Sequence, residues 1–484
     1  MRPTSIAISC TIRTLRIACI ALTGMGLTPG FAFDANDPFA TEAITPRPPQ
    51  IAPFPESGFV PCLPMQEGTV YGVLEVVDRA LCQNPRTREA WANARIQAAQ
   101  VGVAQSSYLP DLDGRIGVSR TSGSADGTDT TTLNNAALTL SWLLFDFGTR
   151  AANLENARQL LSAASLTLDA TVQTVFLDAL RAYYATQAAR AAVAAAVESG
   201  KASRESLTAA EVRYKVGTGT PADRLQAQTA WSQATLTRIK AEGILRTAYG
   251  TLANVMGLDA SDSLTLAEIP KIPADARIER DVETLIDEAR VRRPELKAAE
   301  ARVSAARSNV DSVRASGKPS VSLGTGASWL RTNPSGGDDF SSHSNSIGVT
   351  LSIPLFSGFE TTYNVRTAEA RVDAASALRD NVKLQVALDV WTAYQDLTTA
   401  SQTLSTSADL LASAEQSERV ALGRYKAGVG NILDVLNAQS ALANARLQRI
   451  QAALDWYVAR ASLAKAVGTL DNSLLSPASP QQTR

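Results

Sequence analysis

One half of this chain repeats the other, and that constrains its fold more than any single motif does. Asn84-Pro85 opens a helical stretch ended by Leu109-Pro110, and Arg293-Pro294 opens one ended by Lys318-Pro319, so both prolines recur 209 residues apart. Further on the offset is 211: Leu144-Phe145 returns as Leu355-Phe356, and Arg213-Tyr214-Lys215-Val216-Gly217 as Arg424-Tyr425-Lys426-Ala427-Gly428. In that register Asp223 matches Asp434, Leu225 matches Leu436, and Ala227-Gln228 matches Ala438-Gln439. Agreement over this length indicates internal duplication. The two extra residues fall in the loop between two strands.

Each half reads helix, strand, loop, strand, long helix, turn, long helix. The strands expected are Arg115 to Thr121, Ala136 to Phe145, Ser320 to Leu330 and Asn345 to Phe356. Leu138, Leu140, Trp142 and Leu144 alternate onto one face, as do Ile347, Val349, Leu351 and Ile353. The connections at 122–135 and 331–344 are polar loops. After each hairpin come roughly 100 residues of helical pattern in a chain with 80 alanines, which suits long helices packed through small side chains. Leu154, Leu161, Leu168 and Val175 sit seven apart, as do Val390, Leu397, Leu404 and Leu411, the spacing of coiled-coil seams. At about 1.5 Å per residue these stretches make a rod of around 110 Å.

Four strands of about ten residues have the length a membrane-crossing strand needs. They cannot close a barrel alone, since bacterial barrels start at about eight strands and open edges do not survive in lipid. Either the sheet is soluble or several copies pool their strands. Three copies would give twelve strands around one lumen, extended by their helices as a tube.

Other functions are disfavoured by composition. Lys and Arg number 46 against 47 Asp and Glu, a net charge of −1 that gives no reason to expect a nucleic-acid partner. The one histidine, His343, lies in a Gly/Ser/Asp-rich stretch without an HExxH or GxSxG pattern, so no histidine-based catalysis and no catalytic, cofactor or metal site is expected. Gly217-Thr218-Gly219 and Gly324-Thr325-Gly326 lack the strand–GxxxxGK–helix context of a phosphate loop.

The N-terminus reads as an address. Arg2, Arg13 and Arg16 precede an apolar run from Ile17 to Leu27 that ends in Thr28-Pro29-Gly30-Phe31-Ala32, a secretory signal peptide cleaved near Ala32. Arg16-Ile17-Ala18 before Cys19 is a poor lipid-attachment motif. Beyond this leader no continuous apolar run long enough for a bilayer helix is expected. Eight prolines between Pro38 and Pro64 suggest an extended strap. Cys62 and Cys82 remain after cleavage in an oxidising compartment. A disulfide between them would pin the strap to the first helix, and two inert buried thiols are the alternative.

Taken together, these residues resemble the TolC family of outer-membrane export channels, from about Val70 to Leu470. The resemblance rests on the duplicated halves and on the tips Val216-Gly217-Thr218 and Ala427-Gly428-Val429, each followed by an Asp and a Leu. The opening Cys62-Leu63-Pro64 … Leu81-Cys82-Gln83-Asn84-Pro85 is most similar to type I secretion components for adenylate cyclase (cyclolysin) or haemolysin-type toxins. The resemblance implies an α+β membrane protein, a homotrimeric 12-stranded outer-membrane β-barrel with four strands per protomer, continued by a long periplasmic α-helical coiled-coil barrel. It implies a signal peptide at 1–32, a strap at 33–69, and a first repeat at 70–255 with its hairpin at 115–145. An equatorial linker at 256–281, a second repeat at 282–468 with its hairpin at 320–356, and a tail at 469–484 follow.

In that family the tips close the tunnel and dock a periplasmic membrane-fusion adaptor coupled to an inner-membrane ABC exporter or proton-driven efflux pump. Outer-membrane lipid and an exported protein are the other partners implied. The resemblance puts Asp434 in an entrance ring and Asp223 and Tyr425 among gate-locking side chains. Gly430 stands where a lock arginine is expected, and Asn437 replaces a second ring aspartate. Three Asp434 carboxylates on one axis would repel one another and favour cations; an Asp after a turn is also often only a helix cap. The leading expectation is a passive conduit for a secreted protein. Multidrug efflux is the alternative cargo, and a soluble periplasmic coiled-coil scaffold is the alternative class.

Overall fold

Two helices of 67 residues set the dimensions of the molecule. In the computed structural model, which describes residues 36–50, 62, 70–122, 130–267, 281–334 and 338–470, they are α3 (Thr149–Lys215) and α7 (Glu360–Lys426). Each is about 100 Å long at 1.5 Å per residue. The expected signal peptide lies outside the described residues, as does most of the tail.

The first half runs β1 (Val70–Tyr71), α1 (Val73–Gln83), α2 (Pro85–Ser106), β2 (Asp111–Ser122), β3 (Thr130–Phe145), α3 and α4 (Pro221–Val255). The short strand β4 (Thr265–Leu266) follows. The second half runs α5 (Val282–Arg292), α6 (Pro294–Ser316), β5 (Ser320–Pro334), β6 (Phe340–Ser352), α7 and α8 (Ile432–Val467). Apart from β1 and β4, the two halves repeat one order of elements.

The prolines that mark the repeat open α2 and α6, where a missing N–H costs nothing because the first helical donors lack partners. Asn84 caps α2 by accepting from the Arg86 amide at 2.9 Å, and its own amide group donates to the Val255 carbonyl at 2.9 Å. This ties the start of α2 to the end of α4.

Helix α3 packs against α2, α4, α6 and α8, and α7 against α6 and α8. Leu168 and Val175 of the first heptad stripe are buried, as are Val390, Leu397 and Leu404 of the second. Between them sit fully buried alanines such as Ala179, Ala227, Ala445 and Ala452, which let helix axes approach closely. Contrary to the sequence reading, a stretch of α3 reaches a mean hydropathy of 1.4 over 18 residues, enough by length and composition for a bilayer span. Its heptad residues are spent on the neighbouring helices.

The largest apolar cluster joins Val76, Val77, Ala80 and Leu81 of α1 to Val175 through Tyr183 of α3, closed by Leu252 and Met256. A second joins α5, α7 and α8 through Leu285, Val386, Val390 and Trp456. β1 pairs with β4 in parallel, Val70 with Thr265 and Tyr71 with Leu266, which fastens the chain before α1 to the segment after α4. Cys62 and Cys82 are disulfide-bonded with Cα atoms 5.7 Å apart, and the Asp78 carboxylate accepts from the Cys62 amide at 2.8 Å. Nearby, the Trp91 indole donates to the Pro46 carbonyl at 3.0 Å, laying the described part of the strap along α2.

The remaining four strands form one antiparallel sheet, in the order β2-β3-β5-β6. They outrun the sequence expectation at their polar ends: β3 starts at Thr130 rather than Ala136, β5 continues to Pro334 and β6 starts at Phe340. Apolar alternation stops where the apolar face stops, but the backbone ladder does not. At the other end β6 closes at Ser352, so Ile353 to Phe356 lie beyond the strand.

Candidate functional site

The sheet has two unlike faces. Directly paired residues point to the same side, so the register can be read across all four strands. Leu112 pairs with Leu140, Leu140 with Thr325 and Thr325 with Ile347. One row further along, Trp142 pairs with Leu323 and Leu323 with Val349. Ile116, Val118, Leu138, Trp329 and Leu351 fall on the same side. It is an apolar surface facing outward, with Ile116 exposed by 89% and Ile347 by 79%. An exposed apolar patch this continuous marks a contact surface or a membrane face.

The opposite side is polar and small. Asp113 pairs with Thr139 and Thr139 with Gly326; Gly324 lies between Ser141 and Gly348, and Ser328 pairs with Ser344. Among the described residues β2 and β6 each have a ladder partner on one side only, so both edges are open.

The expected face of Leu138, Leu140, Trp142 and Leu144 holds as far as Trp142. A bulge then lets Leu143 pair with Ser322 and Phe145 with Val321. The extra residue, Leu144, leaves the alternation, and Phe145 takes its place on the apolar side. Periodicity alone carries no signal for such an insertion.

At the helix end of this sheet the chain turns through two consecutive left-handed residues in each half. They are Phe147 (φ 52°) and Gly148 (φ 99°) in the first, Gly358 (φ 61°) and Phe359 (φ 65°) in the second. Each turn thus strains one phenylalanine. The rings pack edge to face, Phe145 on Phe147 at 4.8 Å and Phe356 on Phe359 at 5.5 Å. Arg150 ties the first turn down. Its guanidinium donates to the carbonyls of Leu143 (2.6 Å), Leu144 (3.2 Å) and Ser107 (3.3 Å), and to Asp146 Oδ2 (3.2 Å). Thr361 occupies the corresponding place in the second half, so this clamp was not legible from the repeat.

At the far end of the long helices lie the tips. Gly217 (φ 78°) and Gly428 (φ 79°) adopt the left-handed conformation that a side chain would strain. The Thr218 amide donates to the Arg213 carbonyl at 2.9 Å and the Val429 amide to the Arg424 carbonyl at 3.0 Å, so the two tips share one geometry. Val216 and Val429 project outward, both well exposed. A Cβ on Gly430 would lie 2.9 Å from the Tyr425 amide nitrogen, so this tip has no room for the arginine that the family resemblance puts there.

The structure distributes the sequence-predicted gate residues as follows. Asp223 is the acid of a capping box: its carboxylate accepts from the Thr220 amide and the Thr220 hydroxyl accepts from the Asp223 amide, both at 3.1 Å. Asp434 does not cap α8, because Asn431 does so by accepting from the Leu433 amide at 3.1 Å. Asp434 and Asn437 lie one turn apart on an exposed face of α8, and the Asp434 carboxylate makes no hydrogen bond or ion pair among the described residues. Tyr425 is buried against Ile432 and Val435. Its carbonyl accepts from Arg213 at 2.7 Å, with that guanidinium 4.0 Å from its ring centre. Sequence reasoning missed Arg213, although the repeated Arg-Tyr pair was in view.

Midway along the helices, Tyr184 stacks on Tyr457 with ring centres 4.4 Å apart. Burial, with Tyr457 and Tyr183 beside it, pushes the Tyr184 hydroxyl up to about 12. Burial likewise lowers Lys465, partly offset by Glu295.

Comparison with known proteins matches this architecture. The profile of the outer membrane efflux protein family fits residues 76–258 and 285–469, one stretch in each half. Protein CyaE of Bordetella pertussis is 34% identical over 416 residues, covering 85% of this chain and 86% of that one. Outer membrane efflux protein BepC of Brucella suis is 28% identical, covering 81% and 84%. Among solved structures, the outer-membrane channel OprN superposes with a TM-score of 0.71 at 22% identity, over 82% of this chain and 90% of that one.

Proposed function

The chain belongs to the outer membrane efflux protein family and resides in the outer membrane, and on that premise we propose that three copies pool their sheets into one twelve-stranded barrel. The long helices continue it as a periplasmic tunnel. The observation that carries this reading is the sheet, with two open edges and one apolar face. In lipid every backbone donor and acceptor needs a protein partner, so edges must close. Joining β6 of one copy to β2 of the next closes them all.

Twelve strands spaced about 4.8 Å apart and tilted by about 40° enclose a ring about 24 Å across between backbones. The polar side then lines the lumen. Its glycines and serines keep side chains short, which leaves a wide aqueous path. The matched family and structural neighbour are an efflux protein family and a channel rather than enzymes, and the protein acts as a passive conduit.

Energy comes from an inner-membrane pump, an ABC exporter or a proton-driven one, reached through a periplasmic adaptor. Val216, Gly217, Thr218, Ala427, Gly428 and Val429 form the docking tips, and the exposed valines are suited to an apolar contact. Asp434 and Asn437 face the axis of the entrance, with Tyr425 and Asp223 holding the tips in shape behind them. The cargo is a secreted protein, supported by the 34% likeness to CyaE and by the type I character of the N-terminal motif. Drug efflux is the second reading, favoured by the likeness to BepC.

A deletion strain assayed for both its secreted proteins and its drug sensitivity separates the two. Loss of one large protein from the medium with unchanged sensitivity is expected. Raised drug sensitivity with an unaltered set of secreted proteins would replace this reading with the second.

A further inference from the structure

The clasp between Arg213 and Tyr425 joins two hairpins. Arg213 comes from the tip of α3 and α4, Tyr425 from the tip of α7 and α8. The chain carries the same Arg-Tyr pair twice, as Arg213-Tyr214 and Arg424-Tyr425. Both tips turn through the same left-handed glycine and the same amide-to-carbonyl closure, so each pair leaves its helix in the same direction.

Each clasp takes its arginine from one hairpin and its tyrosine from the next. Within one copy this uses Arg213 and Tyr425 and leaves Arg424 and Tyr214 over. Arg424 is exposed and its guanidinium makes no hydrogen bond or ion pair among the described residues, and Tyr214 is 41% exposed. A head-to-tail contact repeated with one rotation closes into a ring. Resting on the three-copy reading above, we propose that Arg424 of each copy clasps Tyr214 of the partner subunit, completing a ring of six joints.

The six are not equal. Tyr425 is 6% exposed and packs on Ile432 and Val435. At the positions matching these two stand Pro221 and Arg224, and the Arg224 guanidinium already lies 5.2 Å from the Tyr214 ring centre. A second cation on that ring meets a like charge in a wetter site, where cation–π contacts are weakest. The joints between copies are therefore looser than those within them, and the entrance parts along the seams between copies.

The test uses the full-length chain in its native membrane with Arg424→Cys and Tyr214→Cys combined, treated with a short bifunctional maleimide. Cys62 and Cys82 are bonded to each other and do not react. We expect a covalent trimer on a denaturing gel, absent from either single variant. The matching pair, Arg213→Cys with Tyr425→Cys, links within one chain and stays monomeric. Monomers from the first pair, in material whose native mass is three copies, overturn the clasp and leave the barrel reading intact. A native mass of one copy overturns both.

Discussion

Leu140→Arg and Thr139→Arg place the same charge on adjacent residues of β3, on opposite faces of the sheet. Leu140 lies in the row Leu112–Leu140–Thr325–Ile347, midway between the Trp329 and Val321 rows of the apolar side. In the barrel this row sits near the bilayer midplane, where an arginine facing lipid costs about 2–4 kcal/mol. Three copies carry it, so the assembled barrel loses about 6–12 kcal/mol, comparable to the net stability of many folded domains. Thr139 pairs with Asp113 and Gly326, on the side assigned to the lumen, where an arginine keeps its water. Membrane fractions run on gels without heating give the yield of trimer. Leu140→Arg should lose nearly all of it. Thr139→Arg should keep it and, in planar bilayers, conduct cations less well. Equal yields, or loss from Thr139→Arg alone, would refute the face assignment or the barrel itself.

Arg150→Ala removes a nearly buried guanidinium from three carbonyls and a carboxylate, so the first strand-to-helix turn loses about 2–3 kcal/mol. The trimer should melt several degrees lower, and Thr361→Ala should leave melting nearly unchanged. Gly430→Arg does not build a gate lock: its Cβ meets the Tyr425 amide nitrogen at 2.9 Å, so the tip shifts and single-channel opening becomes more frequent. At high pH the raised Tyr184 sets the sign. Its hydroxyl stays neutral in the fold up to about 12 while the unfolded side chain ionises from its ordinary 10, so stability present below pH 10 is lost as pH rises toward 12. Denaturant midpoints from pH 9 to 12 should fall less steeply in Tyr184→Phe. Cys82→Ser opens a link of sequence separation 20, worth about 3 kcal/mol by chain entropy; a glutamate-specific protease should then cut after the exposed Glu42, and protection as strong as in the parent would show that the Trp91 contact alone holds the strap.

Much of this was legible in the sequence because it rests on periodicity. Heptads at Leu168 and Val175 or Val390 and Leu397 mark seams that the structure buries, and prolines at 85 and 294 mark helix starts. What stayed hidden depends on contacts between distant segments. The bulge at Leu144 shifts one residue without changing composition. The clamp of Arg150 involves Ser107, 43 positions away, and the clasp of Arg213 involves Tyr425, 212 positions away. Nothing in the local pattern distinguishes these arginines from the many that are solvated. Asp223 and Asp434 align in the repeat and look alike on paper. Their difference lies in the cap: Thr220 engages Asp223 in a reciprocal pair of hydrogen bonds, while Asn431 caps α8 without Asp434.

The divergence between halves then has a common logic. Six identical hairpins in a ring would have six equal joints, and such a ring has no preferred place to open. In the proposed ring of three copies, Arg224 in place of a valine equivalent, Asp223 fixed in a cap while Asp434 is free, and one strand-to-helix turn clamped by Arg150 but not the other lower that symmetry from six to three. The Thr220–Asp223 cap and the Arg150 clamp each add contacts within one copy. The first half is held at its turn by Arg150, and the two tips of one copy are held to each other through Arg213 and Tyr425. In the proposed ring the hairpin of α7 and α8, with the Asp434 carboxylate unpaired on its exposed face, meets the partner subunit at its outer seam. If the proposed entrance opens, the inequality places its weakest joints at the seams between copies.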